Sequence, residues 1–196
     1  MQRSRIQAND AVVVVDVQRD FCSGGALPIR GGDDVVPVLN EWIDAACASS
    51  ARIILSRDWH PKDHVSFHQR GGPWPKHCVQ NSAGAEFHPQ LKIPRDAKVV
   101  SKGTAPGQDN CSAFDGTDLA AQLRREGVRR LWIGGLAQDV CVHATVLGAC
   151  RLGFETHLIC DATRPVDDEL GRKAIEEMRA AGAIIEQKGP YESVAV

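Results

Sequence analysis

Cys141 lies in Gly-Gly-Leu-Ala-Gln-Asp-Val-Cys-Val, after a short apolar run and at the start of a stretch with helical spacing. A thiol in the first turn of a helix faces unpaired backbone N–H groups and the positive end of the helix dipole, and both favour thiolate. The same N–H groups can hold the oxyanion of a tetrahedral intermediate. A buried structural cysteine would fit that place as readily, so position alone does not settle the role. A cysteine nucleophile also needs a base and a charge partner. Asp16 ends a run of valines in Val-Val-Val-Val-Asp-Val-Gln-Arg-Asp-Phe. A carboxylate there is partly desolvated, which raises its pKa and makes it a better base; hydrogen bonding to loop amides is the alternative use. Lys102, in Val-Val-Ser-Lys-Gly-Thr, can pair with Asp16 and favour thiolate at Cys141, although a lone lysine in that position is commonly solvated.

A second constellation suits a metal. Asp58-Trp59-His60 sets a carboxylate and an imidazole two residues apart, on one side of an extended chain. Histidines follow at 64, 68, 77 and 88. His77, in Trp-Pro-Lys-His-Cys-Val, is the natural third ligand because Pro75 and Trp74 stiffen its loop. One carboxylate with imidazoles fits zinc, iron(II) or manganese(II), with water in the open positions. Turn capping in a polar loop is the plainer use of such histidines.

The elements that would position these groups alternate along the chain. Strands are expected over Ala11–Val17, Arg52–Ser56, Ala97–Ser101, Leu131–Ile133, His157–Cys160 and Ala183–Glu186. Helical patterns cover Asp33–Ser50, Thr117–Glu126, Asp139–Leu152 and Asp168–Ala181, with Gly127, Gly153 and Gly182 in the usual stop position. This is the signature of an α/β fold in three layers, a six-stranded, mainly parallel, doubly wound sheet with helices on both faces. In such a sheet, ligands bind beyond the carboxyl ends of the strands. Asp16, Asp58, Lys102 and the Gly135 segment leading to Cys141 all stand there. The segment from Asp58 to Ala97, rich in Pro, Gly, His and Trp, lacks sustained periodicity, and long loops of that kind are usually functional.

The 196 residues fit one domain, residues 1–196, with a metal- and substrate-binding loop region at about 58–97. Hydrophobic residues make up 43% and charged residues 24%, with a formal net charge of −2, which gives nucleic acid or an anionic membrane no footing as partner. The expected partner is a small-molecule substrate, and a homo-oligomer is compatible with the pattern without being fixed by it. Seven cysteines without Cys-x-x-Cys spacing suit a reducing compartment, and the polar start from Met1 to Asp10 has no signal-peptide run, so the cytoplasm is the expected location. The polar tail from Lys188 to Val196 is left without a role.

Taken together, the motifs resemble the nicotinamidase (pyrazinamidase) branch of the isochorismatase-like cysteine hydrolases. They are Val-Asp-Val-Gln-Arg-Asp-Phe-Cys-Ser-Gly-Gly-Ala-Leu from Val15, Arg-Asp-Trp-His-Pro from Arg57 and Trp-Pro-Lys-His-Cys-Val-Gln-Asn from Trp74. Ser-Lys-Gly from Ser101 and Gly-Leu-Ala-Gln-Asp-Val-Cys-Val from Gly135 complete the set. The resemblance implies nicotinamide deamidation, with Cys141 as nucleophile, Asp16 as proton carrier and Lys102 bridging them. It also implies an oxyanion hole from the N–H groups of Ala137 and Cys141, next to a cis Leu136–Ala137 peptide. One divalent metal, zinc before iron or manganese, would be held by Asp58, His60 and His77, with His64 a second-rank ligand, and would hold the pyridine nitrogen. Phe21, Leu27 and Trp74 match the pocket that sandwiches the ring, and Gln18 is placed with the substrate-binding residues.

Two departures stand out. Cys111 replaces a common Tyr of the pocket and would widen it, and Gln138 replaces a more usual Thr. Amidases of the same superfamily that act on other heteroaromatic or carbamoyl amides remain the nearest alternative. A non-catalytic pyridine- or metal-binding module and a thiol redox sensor pairing Cys141 with Cys111 or Cys78 stand further off.

Overall fold

A computed structural model describes residues 4–187 and 189–191; of the polar tail, Lys188 and residues 192–196 lie outside the described residues. Six strands, β1 Asp10–Val15, β2 Arg52–Asp58, β3 Lys98–Lys102, β4 Arg130–Leu136, β5 Glu155–Arg164 and β6 Ile184–Glu186, form one sheet in the order β3-β2-β1-β4-β5-β6. Every neighbouring pair is parallel, so the sheet is parallel throughout. Four helices connect them: α1 Val35–Ala48, α2 Leu119–Arg125, α3 His143–Arg151 and α4 Asp168–Ala180.

The unbroken valines of β1 follow from burial on both faces. Val12 and Val14 join Leu39, Trp42 and Ile43 of α1 in one core, while Ala11, Val13 and Val15 join Leu119, Leu123, Val146 and Met178 of α2, α3 and α4 in the other. One helix therefore covers one face and three cover the other. The segment after β2 completes the α1 side, contributing buried Cys78, Ala85 and Leu91. It carries only two single-turn 3-10 helices, His68–Arg70 and Ala83–Ala85.

The observed elements differ from the expected ones at chemically useful places. β4 runs on through Gly134 and Gly135, which pair with Val14 and Val15, instead of stopping at Ile133. At Gly135 a Cβ would fall 2.0 Å from the Val15 carbonyl oxygen, so glycine here permits close strand approach beside Asp16. The helix expected from Asp139 begins as a wide π turn, Gln138–Val142, and becomes α-helical only at His143. No helix among the described residues is long and apolar enough to cross a membrane.

Candidate active site

Strand order places the chemistry. β3, β2, β1 and β4 lie side by side, so Lys102, Asp58, Asp16 and the turn bearing Cys141 share one edge of the sheet, at the point where the winding reverses. Lys102 Nζ is the hub: it donates to Asp58 Oδ1 at 2.5 Å and to the Asn110 carbonyl at 3.5 Å, and lies 3.3 Å from Cys141 Sγ. It is also 2.8 Å from Asp16 Oδ2, as an ion pair outside hydrogen-bond alignment, which leaves that oxygen a lone pair for a proton. Asp16 Oδ1 accepts from Ser56 Oγ at 2.7 Å, which fixes the carboxylate plane. Asp16 itself sits at φ 49°, a left-handed turn that Asp tolerates better than most residues.

Burial and charge set the resting protonation. Burial alone would strip the Lys102 proton, but Asp16 and Asp58 outweigh it and hold the ammonium well above its ordinary range. Burial raises the Asp16 carboxyl against the pull of Lys102. Burial also lifts the Cys141 thiol well above the ordinary value, with Lys102 opposing and the two carboxylates adding to it. Burial beside two carboxylates thus opposes the pull of Lys102 and the helix end toward thiolate, and leaves a thiol proton for Asp16 to take.

Asp58 faces both ways. Its Oδ2 lies 3.4 Å from His60 Nε2 and 3.8 Å from His77 Nε2, and the three donor groups are mutually within 4.8 Å. The opposite ring nitrogens are spoken for: His60 Nδ1 donates to the Gly103 carbonyl at 3.0 Å and His77 Nδ1 to the Pro75 carbonyl at 2.8 Å. That tautomer turns both Nε2 lone pairs toward the Asp58 oxygen, the second-sphere pattern that orients imidazole ligands. Phe67 packs edge-on against both rings, with centroids 5.6 and 5.5 Å away. This donor set fits a divalent cation with positions left open for substrate or water. Gly103 sits at φ +60°, where a Cβ would come 2.4 Å from His60 Cε1. Gly103→Ala should therefore push the His60 ring aside and weaken metal binding about 10- to 100-fold, read by titration against a competing chelator.

The donor residues and the thiol share one cleft of about 480 Å³, counted out to its open mouth. Phe21, Leu27, Ile29, Trp74, Val140 and Val166 supply apolar walls, with Asp58, His60 and His77 in the lining together with Lys102 and Cys141. Ala137, also in the lining, follows a cis peptide from Leu136, as expected, and its carbonyl takes the N–H groups of Val140 and Val142 at 3.1 and 3.0 Å.

The isochorismatase domain pattern matches residues 10–188. The chain belongs to the isochorismatase family. Within that family it is 39% identical to the nicotinamidase of Escherichia coli K12, across 89% of this chain and 93% of that protein. It is 36% identical to the nicotinamidase/pyrazinamidase of Mycobacterium tuberculosis, across 87% and 95% of the two chains. The pyrazinamidase of Pyrococcus horikoshii, solved in complex with zinc, superposes with a TM-score of 0.89 at 48% identity, covering 92% of this chain and 99% of that one.

Against this isochorismatase-family framework, two of the residues singled out in the sequence take other places. Gln18 does not line the cleft: its amide donates to the Asp58 and Ala85 carbonyls and accepts from Asp58 N–H, so it positions Asp58 from beneath. His64 stacks on His60 at 4.0 Å, but its Nδ1 accepts from Ser66 N–H, which makes Nε2 the protonated nitrogen that donates to the Gln108 carbonyl. With both nitrogens occupied, His64 supports His60 and stands outside the Asp58–His60–His77 group. Cys111 lines the cleft as expected, its thiol pushed up to about 11 by burial and by Asp109. Ser56 and the Asn110 carbonyl were not singled out beforehand; only the register that pairs Val15 with Ser56 brings that hydroxyl to Asp16. His88 also approaches Cys22 and Asp33, but its Nδ1 accepts from Gln90 N–H, so its Nε2 proton goes to Asp33 and no lone pair remains for an ion.

Proposed function

We propose that the chain hydrolyses nicotinamide, and pyrazinamide with it, to the carboxylic acid and ammonia through a thioester on Cys141. The observation that carries this reading is Lys102 Nζ, 3.3 Å from Cys141 Sγ and 2.8 Å from Asp16 Oδ2, at the floor of a cleft whose lining also holds the Asp58, His60 and His77 donors. Sγ attacks the amide carbon while Asp16 takes the thiol proton, and backbone N–H groups of Ala137 and Cys141 receive the developing oxyanion. Asp16 then passes the proton to the departing nitrogen, ammonia leaves, and the thioester remains. A water deprotonated by Asp16 hydrolyses the thioester, returning the thiol and releasing the acid. Lys102 stays charged throughout and compensates whichever anion is present. Phe21, Leu27 and Trp74 hold the flat ring. A divalent cation on Asp58, His60 and His77, zinc ahead of iron or manganese, supplies an anchor for the ring nitrogen. Seven free thiols support placement in the cytoplasm.

Ammonia release by purified protein from nicotinamide, with an N-carbamoyl amide in parallel, tests this assignment. Preferential turnover of nicotinamide supports it; turnover of the carbamoyl amide alone sinks it. The acid side of the pH profile is a further expected result. Asp16 must be ionised to take the thiol proton, and burial raises its pKa above the ordinary aspartate range. kcat/KM should therefore fall with decreasing pH in a range above that of an ordinary aspartate, as an apparent value belonging to the coupled group. An acid limb confined to ordinary aspartate pH would contradict this role.

A further inference from the structure

The turn that bears the nucleophile also grips the loop between β5 and α4. Asp139 Oδ1 accepts from Val166 N–H at 2.9 Å and Oδ2 from Asp167 N–H at 3.0 Å. Gln138, buried beside it, accepts from Thr163 Oγ1 at 3.0 Å and donates to the Gly171 carbonyl at 3.0 Å. Asp167 in turn caps α4, accepting from the N–H groups of Glu169 and Leu170 at 2.9 Å. Inside α4, a Cβ on Gly171 would fall 2.7 Å from Pro165 Cβ, so helix and loop are in direct contact. Between these fixed points stands Val166, which lines the cleft yet remains 47% exposed, placing it at the mouth. Two consecutive side chains of the nucleophile turn thus hold one wall of the pocket.

We propose that Val166 is a specificity-determining wall of this cleft and that Asp139 is the residue that positions it, so that ring substituents are admitted or refused by the β5–α4 loop. The inference rests on the amidase reading given above. The ligand class is a heteroaromatic carboxamide, and what Val166 discriminates is the size of the ring edge turned toward solvent. Asp139 touches neither substrate nor Sγ in this scheme; it acts through two backbone hydrogen bonds. Gln138 has a parallel role deeper in the loop, which gives its departure from the usual Thr a structural use: the longer amide spans from Thr163 to Gly171.

The test compares nicotinamide, pyrazinamide and ring-methylated nicotinamides as substrates of the metal-loaded protein. Val166→Ala removes apolar contact at the mouth and should raise KM for nicotinamide about three- to tenfold, with the loss in KM and not in kcat. It should also raise kcat/KM for at least one methylated ring relative to nicotinamide by a similar factor. Asp139→Ala should reproduce that change in ratio, and the double variant should add little to it, because both act on one wall. Asp139→Asn keeps one acceptor for Val166 N–H and should restore the ratio in part. Gly171→Ala, remote from substrate, should alter the same ratio by displacing Pro165. If Val166→Ala leaves the substrate ratios within twofold of wild type, or if Asp139→Ala lowers kcat equally for every amide, the proposal is overturned. Should wild type hydrolyse none of these amides, the amidase reading fails by itself. The wall is then read by calorimetry with nicotinate: at least threefold weaker binding in Val166→Ala sustains it, and unchanged or absent binding overturns it.

Discussion

Cys141→Ala should abolish nicotinamide turnover, by at least about 10⁴-fold in kcat, because no second nucleophile stands within reach of the same carbon. The expectation rests on the composition of the floor of the cleft. Beside Sγ lie the Lys102 ammonium, which has no lone pair, and the carboxylates of Asp16 and Asp58, both held against that ammonium. The neighbouring thiol of Cys111 is pushed up to about 11 and has no base paired with it. Stability should change little, since the removed group is a neutral thiol and the ion pairs around Lys102 remain. Metal content should stay the same, because Asp58, His60 and His77 keep their supports in Gln18, Gly103 and Pro75. Kinetics, thermal unfolding and metal analysis of one preparation check all three. More than about 1% residual turnover in Cys141→Ala would remove the covalent mechanism, whatever the metal does.

Much of this arrangement is legible in the chain because its causes are local. The valines of β1 announce a strand covered on both faces, and a parallel sheet brings strand ends to one edge. Asp16, Asp58 and Lys102 could thus be grouped from position alone. What escaped depends on register and on partners distant in sequence. Ser56 reaches Asp16 only because Val15 pairs with it across the sheet. The place of His64 outside the metal group follows from its contacts, Ser66 at Nδ1 and, at Nε2, the Gln108 carbonyl 44 residues away. Gly134 and Gly135 read as the end of a strand, yet they lie inside β4: a Cβ on Gly135 would meet Val15 of β1, and one on Gly134 would meet Ala162 of β5 and Leu39 of α1. The electrostatic balance at Cys141 escaped for a related reason. A helix terminus is visible in sequence, whereas enclosure beside two carboxylates appears only when four strands are assembled. Function was therefore more legible than protonation: residue types are carried by the chain, and the electrostatic environment by the fold.

Lys102→Met should be the most damaging single change to stability within the site. The ammonium is buried, with 1% exposure, and among the described residues it alone contacts both Asp16 and Asp58 at ion-pair distance. Removing one partner of a buried charge set typically costs about 3–5 kcal/mol, because the remaining charges are left uncompensated. For a domain of this size that corresponds to a fall in Tm of about 6–20 °C. The sign of the pH dependence separates this cause from simple cavity formation. Lys102 lowers the pKa of both carboxylates in the native protein. Without it, burial raises Asp16 further above its unfolded value, while His60 still holds Asp58 down, so through Asp16 the variant's folded state binds more protons than its unfolded state. Its stability should then improve as pH falls through the raised value of Asp16, and the deficit against wild type should shrink. Urea unfolding of metal-stripped wild type and Lys102→Met at pH 7 and pH 5 measures this directly. A deficit equal at both pH values would mean that methionine fails by packing alone. A deficit that shrinks at pH 5 would make Lys102 the counter-ion on which the paired carboxylates depend. That is also the property required of a group facing, in turn, the anions of base, thioester collapse and product.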